Sequence, residues 1–274
     1  TAKRINRTFH DEMFNGEKNT VGFVSGYDSR NARSGIEGYS DSFYDVYAMF
    51  DKGNPGVFGL SVAKLSSSYD DDSERDVTYF FLHKPFMFEL GETSLLLTPT
   101  AGYSNGDYTR KEDGVSSSAD ISAWHYGVTN EARYKAELGF ADLEPSAELN
   151  LQGYYQNRLE EGNGAEVKAQ NFLNAEGGLG LYLSRVFSLG SNQGLNIRGG
   201  GTYYYATNNH RQKATISGAE GYYKMESSDT DNGSGVINLT AEYRINDIRL
   251  HGELYERLGR DSIFNWNAGI SYMF

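Results

Sequence analysis

Hydrophobic and polar residues alternate along much of this chain, as they do in β-strands. From Phe264 to Phe274, the even positions are Phe, Trp, Ala, Ile, Tyr and Phe, and the odd positions are Asn, Asn, Gly, Ser and Met. Successive strand side chains point to opposite faces, so such a segment has one apolar and one polar face. Segments with strand-like character are centred near residues 24, 46, 61, 82, 99, 127, 150, 180, 200, 240, 252 and 268. The pattern predicts an all-β protein of about twelve strands.

The polar faces of these segments carry charged and amide side chains in mid-strand. A soluble sandwich could also have polar outer faces, but its inner faces would need more Leu, Ile and Val to fill one core. The apolar faces often end in Tyr, Phe or Trp, which is typical of the aromatic girdles of a membrane β-barrel. We therefore predict a transmembrane antiparallel β-barrel. The polar side chains expected to face its lumen are Glu148, Asn150, Gln152, Arg198, Glu242, Arg244, Arg249 and Glu253.

Connection lengths also differ between the two predicted ends of the barrel. Short turns are expected near residues 89–93, 140–143 and 245–247, and they alternate with long polar segments. The long segments, predicted as loops, cover residues 29–41, 67–76, 106–120, 158–171 and 207–235. Outer-membrane barrels have short periplasmic turns, long external loops and an even number of strands.

Composition leaves two all-β classes open. The 274 residues are 38% hydrophobic but 14% aromatic, which suits a large soluble β-sandwich or barrel as well as a membrane barrel. The absence of Cys excludes disulfides and thiolate chemistry. The net charge of −12 argues against a nucleic-acid partner, which requires a basic surface. No motif indicates a metal ion or other cofactor, and we expect none.

The first twenty residues have a different pattern. Ile5, Phe9 and Met13 recur at helical spacing, with Lys3, Arg4 and Arg7 around them. This predicts a short amphipathic helix, and the alternative is a frayed tail. Inside a barrel, the basic residues would face acidic lumen side chains. We therefore divide the chain into a linker helix in the lumen, residues 1–19, and a barrel, residues 20–274.

The sequence resembles the C-terminal translocator domain of type V autotransporters of the Gram-negative outer membrane. The resemblance covers nearly the whole chain and is most specific in residues 143–205, 216–229 and 235–274. It implies a non-enzymatic outer-membrane domain that mediates export of an N-terminal passenger to the cell surface. The expected partners are outer-membrane lipid and the chain's own passenger, which is not expected within these residues, and we expect a monomer.

The C-terminal strand matches the family's assembly signal at Asn267, Gly269, Tyr272 and Phe274. In the family, the barrel-assembly machinery reads this signal, and physically the segment can pair as an exposed strand edge. We expect this last strand to close the barrel against residues 21–27. Some members cut their own linker at paired Asn residues. The predicted linker has only single Asn residues, so the sequence argues against such cleavage.

Three alternatives have weaker support. A channel for small polar solutes would suit a twelve-stranded lumen, but it has no use for a basic helix before the first strand. An outer-membrane barrel enzyme such as a phospholipase would need a His two residues before a Ser, and none of the five His residues has this context. A soluble sandwich or lectin-like module does not account for the aromatic strand ends.

Overall fold

The computed structural model describes residues 12–14, 19–30, 38–51, 57–112, 115–162, 166–206, 213–218, 221–226, 233–258 and 262–274. Residues 12–14 form one helical turn. The strands described are β1 (Thr20–Arg30), β2 (Tyr39–Asp51), β3 (Val57–Tyr69), β4 (Glu74–His83), β5 (Phe86–Leu90), β6 (Thr93–Glu112), β7 (Val115–Tyr134), β8 (Ala136–Glu137), β9 (Asp142–Gln156), β10 (Leu159–Glu160), β11 (Glu166–Val167), β12 (Gln170–Gly190), β13 (Gln193–Ala206), β14 (Lys213–Gly218), β15 (Gly221–Glu226), β16 (Gly233–Ile245), β17 (Ile248–Leu258) and β18 (Ile263–Met273).

The strands close into a twelve-stranded antiparallel barrel, which confirms the predicted fold class. Its wall runs β1-β2-β3-β4-β6-β7-β9-β12-β13-β16-β17-β18 and returns to β1. The closing pair extends from Thr20 opposite Met273 to Arg30 opposite Ile263. Each predicted strand centre falls within one of these twelve strands.

One wall strand is interrupted at Lys84 and Pro85. Proline has no N–H and cannot donate to the sheet. The backbone resumes as β5, which pairs with β6. The Lys84 ammonium group donates to the carbonyl of Val57 at 3.1 Å and lies 3.7 Å from the ring centre of Phe58. The lysine side chain thus contacts the start of β3 at the point where strand pairing ends.

The outer face of the barrel is a band of exposed apolar side chains. Apolar residues that a soluble protein would bury are here 40–70% exposed, for example Val46, Leu82, Leu181 and Ile237. Exposed aromatic residues lie toward both ends of the strands, so the band has the two girdles expected at membrane interfaces. Toward the short turns these are Phe86, Phe88, Tyr134, Phe140, Phe187, Tyr272 and Phe274, and toward the other end Tyr44, Trp124, Tyr126, Tyr155, Tyr203, Tyr205, Phe264 and Trp266. Within the described residues, no helix is long and apolar enough to span a membrane.

The inner face is divided into an apolar and a polar part. Buried apolar side chains from β1 to β6 form one cluster, here called the apolar wall, and Met13 belongs to it. Its wall members are Val24, Phe43, Tyr47, Met49, Val57, Ala63, Leu65, Val77, Tyr79, Phe81 and Leu96. The inner faces of β9, β12, β13, β16, β17 and β18 instead carry carboxylates, guanidinium groups, amides and hydroxyls, described below.

Three of the predicted long loops contain regular structure. Residues 106–120 are largely strand, because β6 and β7 run to Glu112 and from Val115. The segments 158–171 and 207–235 contribute β10, β11, β14 and β15, which form a separate four-stranded sheet. Arg110 contacts Glu161 at 3.1 Å, and the N–H of Gly162 donates to the carbonyl of Ser118 at 3.1 Å. These segments were predicted as loops from their polar composition. Composition does not reveal pairing between segments that are far apart in the chain.

Candidate functional site in the barrel lumen

Glu12 lies between two strands of the barrel wall. Its carboxylate accepts a hydrogen bond from the Tyr47 hydroxyl on β2 and forms an ion pair with Arg249 on β17. All three side chains are buried, and Glu12 is fully so. Strands β2 and β17 are separated in the wall by β1 and β18, so Glu12 bridges the closing seam of the barrel from inside. We call Glu12, Tyr47 and Arg249 the latch.

Phe14 contacts a different part of the wall. The guanidinium carbon of Arg133, on β7, lies 3.8 Å from the centre of the Phe14 ring. The same guanidinium is held by Glu131, with Arg133 Nε 2.6 Å from the carboxylate oxygen. Strand β7 is four strands from β2 in one direction around the barrel and five from β17 in the other. Contacts with β2, β7 and β17 together place residues 12–14 in the lumen.

The centre of this short segment is apolar. Met13 is 5% exposed and packs against the other members of the apolar wall. Phe14 and Met87 pack against the same cluster. The segment thus binds Arg249 and Tyr47 through the Glu12 carboxylate and packs Met13 and Phe14 against the apolar wall.

The polar part of the lumen contains an ion pair between β9 and β13. Arg198 Nε lies 2.8 Å from a carboxylate oxygen of Glu144, which also accepts from the hydroxyl of Ser184. The Arg198 guanidinium carbon is 3.7 Å from the ring centre of Tyr182. The Tyr182 hydroxyl is in turn 2.5 Å from that of Thr202. These bonds connect three adjacent wall strands across their inner faces.

Two further carboxylates connect wall strands, Glu148 from β9 to β13 across β12, and Glu253 from β17 to its neighbours β16 and β18. Glu148 accepts from the Tyr204 hydroxyl at 2.7 Å and from the amide of Asn150. Glu253 accepts from the amides of Asn238 at 3.0 Å and Asn267 at 2.8 Å. Each carboxylate is thereby hydrogen-bonded on both oxygens, as a charge of low exposure requires.

The remaining sequence-predicted residues vary in their placement. Gln152 and Glu242 are partly buried, whereas Arg244 is exposed and donates to the carbonyl of Asn246 at 3.3 Å. Lys3, Arg4, Ile5, Arg7 and Phe9 lie outside the described residues. Sequence reasoning missed Glu12, Tyr47 and Arg133, because it considered only the basic and apolar residues of the linker. Glu12 carries a charge beside the apolar residues of the linker, and this charge is the signal from which its contact with the wall could have been predicted.

The residues predicted as an assembly signal lie on both faces of β18. Asn267 binds Glu253 inside, whereas Tyr272 and Phe274 are exposed outside with ring centres 6.5 Å apart. At Gly269 a side chain has no room, because an added Cβ would lie 2.3 Å from the His251 ring and 2.6 Å from the Phe23 carbonyl oxygen. Packing within the barrel therefore favours glycine at position 269 independently of any role in assembly.

Comparison with known proteins gives the family. The Autotransporter beta-domain family matches residues 20–254. No curated protein sequence matches this chain. The translocator domain of the autotransporter NalP from Neisseria meningitidis is similar with a TM-score of 0.75 and 13% identity, over 100% of this chain and 94% of that one.

Two further solved structures are similar in fold. The β-domain of the Bordetella autotransporter BrkA has a TM-score of 0.63 and 16% identity, covering 93% of this chain and 99% of its own. The transport unit of the autotransporter AIDA-I from Escherichia coli has a TM-score of 0.64 and 13% identity, covering 94% and 90%.

The closed barrel, its exposed apolar band and the family match agree with one another. An autotransporter domain is linked to a passenger and resides in the bacterial outer membrane. The chain belongs to the autotransporter β-domain family and is an outer-membrane translocator domain of type V secretion that mediates export of an N-terminal passenger to the cell surface.

Proposed function

We propose that residues 1–19 are the linker to the passenger and that they close the lumen of the barrel formed by residues 20–274. The carrying observation is that residues 12–14 contact β2, β7 and β17 from inside the barrel. The latch lies near the start of β1 and close to the short turns, which in such barrels face the periplasm. In this proposal the latch seals the periplasmic end of the lumen after export.

The latch has the geometry needed to hold the linker. Arg249 and Glu12 are both buried, with side chains 6% and 0% exposed. Removing one partner of such a pair leaves an uncompensated buried charge, which costs about 3–5 kcal/mol. We therefore propose that Arg249 acts as a positioning residue for the linker. Arg244 was predicted with Arg249 to face the lumen, but it is exposed at the turn and is not given this role.

We further propose a conduit without catalysis, assembled as a monomer. The inward-facing His83 lies 3.4 Å from the Ser61 hydroxyl and 3.3 Å from that of Thr100, and His125 lies 2.8 Å from the Ser104 hydroxyl. These contacts support structural roles for both imidazoles. The continuous pairing around the wall supports a monomer, because closure satisfies the strand edges.

For assembly, we propose that Asn267, Gly269, Tyr272 and Phe274 form the signal read by the barrel-assembly machinery. Exposure of the two aromatic rings at the turn end of β18 supports this role. Outer-membrane lipid would contact the same rings in the finished barrel.

A surface-display assay tests the export role. A signal peptide and a small reporter are fused ahead of Thr1, and protease is added to intact Gram-negative cells. We expect digestion of the reporter while the barrel remains intact in the membrane. A folded barrel whose reporter stays protected in the periplasm would contradict export by this domain.

Ion conductance of the purified barrel in planar bilayers tests the closure. The full chain is expected to conduct poorly, and deletion of residues 1–14 is expected to open it. Equal conductance of the two proteins would contradict the proposed seal, even where the display assay succeeds.

A further inference from the structure

Aromatic side chains form a continuous row on the inner face of the wall. Residues paired across β4, β6, β7, β9 and β12 lie on one line perpendicular to these strands. We call the aromatic members of this line, Phe81, His125, Tyr154 and Phe172, the ring row. The ring centres of Phe81 and His125 are 5.5 Å apart. The Tyr154 ring centre is 6.0 Å from that of His125 and 4.5 Å from that of Phe172, so each ring is in contact with the next.

Small residues on β6 allow the row to cross that strand. Gly102 lies between Phe81 and His125 in the line of paired residues. A Cβ at position 102 would lie 2.3 Å from the Phe81 ring, so the ring occupies the space above this glycine. The Ser104 hydroxyl is 2.8 Å from Nε2 of His125 and orients that imidazole. The row is therefore built by the packing of three adjacent strands.

The row climbs through the lumen from the level of the latch toward the external end. The same line of paired residues passes through Tyr47 of the latch. Tyr47 is close to the inner end of β2, whereas Phe172 is close to the outer end of β12, whose short turn follows Gly190. Barrel strands are tilted by about 35–45°, so a line perpendicular to them rises about 3 Å with each strand. The ring row thus follows a rising path along the wall.

The ring row is continuous with a surface that already contacts the linker. Phe81 belongs to the apolar wall, against which Met13 packs. His125, Tyr154 and Phe172 extend this surface and are partly exposed. Residues 12–14 precede the barrel in the chain, and the passenger precedes them in turn. The exported chain therefore enters the lumen next to the lower end of the ring row.

We infer that the ring row is the surface along which the exported polypeptide crosses the outer half of the lumen, bound through its apolar side chains. The inference rests on the proposed position of the linker in the lumen. Aromatic faces accept aliphatic, aromatic and guanidinium side chains alike, which suits a chain of varied sequence. In an extended chain, side chains on one face recur about every 6.6 Å. The ring spacings are shorter, so a side chain that leaves one ring reaches the next within one repeat.

Several weak contacts suit transit better than one strong contact. Passage through a pore requires binding that is favourable enough to admit a chain and weak enough to release it. The ring row provides such a series on separate strands. The polar part of the wall provides hydrogen-bonding groups instead, such as the Ser234 hydroxyl, which binds Arg257 at 2.9 Å. An apolar side chain in transit is therefore expected on the wall that carries the rings.

Disulfide cross-linking tests which part of the wall the exported chain touches, because this sequence contains no Cys. A reporter fused ahead of Thr1 ends in a short segment that alternates Phe and Ser around one cysteine. The second cysteine is introduced by Asn174→Cys, at the next inward position after Phe172, or by Ser234→Cys on the polar part of the wall. Intact cells receive a brief pulse of oxidant during export. We expect roughly twofold to tenfold more cross-linking at position 174 than at position 234.

Matched variants are compared at equal amounts of folded barrel in the outer membrane. Replacing Tyr154 and Phe172 together by Ala is expected to abolish the excess at position 174, and Tyr154→Phe with Phe172→Tyr is expected to preserve it. The control, Tyr155→Ala with Leu173→Ala, changes exposed side chains on the outer face of the same two strands and should leave the excess unchanged.

A second reporter needs no change to the rings, because its segment alternates Gly and Ser instead of Phe and Ser. It is expected to show no excess at position 174. Equal cross-linking at the two positions with the Phe–Ser segment, or an excess that persists without the rings or with the Gly–Ser segment, would overturn the role of the ring row while export itself stands. A reporter that never reaches the cell surface would contradict export, on which the inference depends.

Discussion

Gly22 allows the latch to form, because the ring of Tyr47 lies directly over it. The two residues are paired between β1 and β2. A Cβ at position 22 would lie 2.4 Å from Tyr47 Cζ and 2.5 Å from its hydroxyl oxygen. Ordinary contact begins near 3.4 Å, so Gly22→Ala must displace that hydroxyl by about 0.9 Å. We expect a shift of this size to lengthen or misalign the hydrogen bond to Glu12 and so to weaken it.

The expected effect follows from the value of that bond. A hydrogen bond to a charged group contributes about 1.5–3 kcal/mol, which corresponds to roughly tenfold to 150-fold in the ratio of closed to open latch. Open-state occupancy of the purified barrel in planar bilayers measures this ratio. We expect Gly22→Ala to lower the ratio of closed to open latch by up to this factor, while the Arg249 ion pair keeps some of the latch closed.

Two matched variants make the result decisive. Tyr47→Phe removes the hydroxyl without adding volume and is expected to open the lumen to a similar extent. Gly178→Ala creates a comparable clash with Tyr204, at 2.6 Å, but lies outside the latch and is expected to leave conductance unchanged. The reasoning is refuted when Gly178→Ala opens the lumen as much as Gly22→Ala, or when Tyr47→Phe leaves it closed.

Two further predictions concern the last strand. Replacing Tyr272 and Phe274 together by Ala is expected to lower the amount of barrel inserted in cells, measured in outer-membrane fractions, and unchanged levels would remove the assembly-signal proposal. Gly269→Ala is expected to destabilise the folded barrel by about 1–3 kcal/mol, because its Cβ meets the His251 ring and a backbone carbonyl. Urea unfolding measures this, and His251→Ala should recover only part of the loss, since the carbonyl of Phe23 remains; full recovery would contradict the second contact.

The alternation of side chains predicted the barrel because each strand carries its own two-sided pattern. Ile237 and Leu239 are exposed outside, and Asn238 is buried inside, as the period of two requires. Such local information suffices for strand positions, whereas the closing of β18 on β1 was expected from the resemblance to the family.

The latch could not be predicted in this way. It joins residues 12, 47 and 249, which are close only after the barrel closes, and no periodic pattern relates them. The interruption at Pro85 was readable in principle, because proline cannot pair, but the apolar residues after it continue the strand pattern. The small sheet of β10, β11, β14 and β15 was missed since its pairing depends on two separate polar segments.

The pairing of β1 with β18 also has a kinetic consequence. Eleven residue pairs join the two strands, and about 250 residues of chain separate them. Bringing ends so far apart together costs roughly 5 kcal/mol in loop entropy. An open edge in hydrocarbon costs several kcal/mol for each unpaired backbone group, which is far more in total. Productive folding therefore waits for the final eleven residues, and a nascent barrel has no stable membrane-embedded intermediate before that strand arrives.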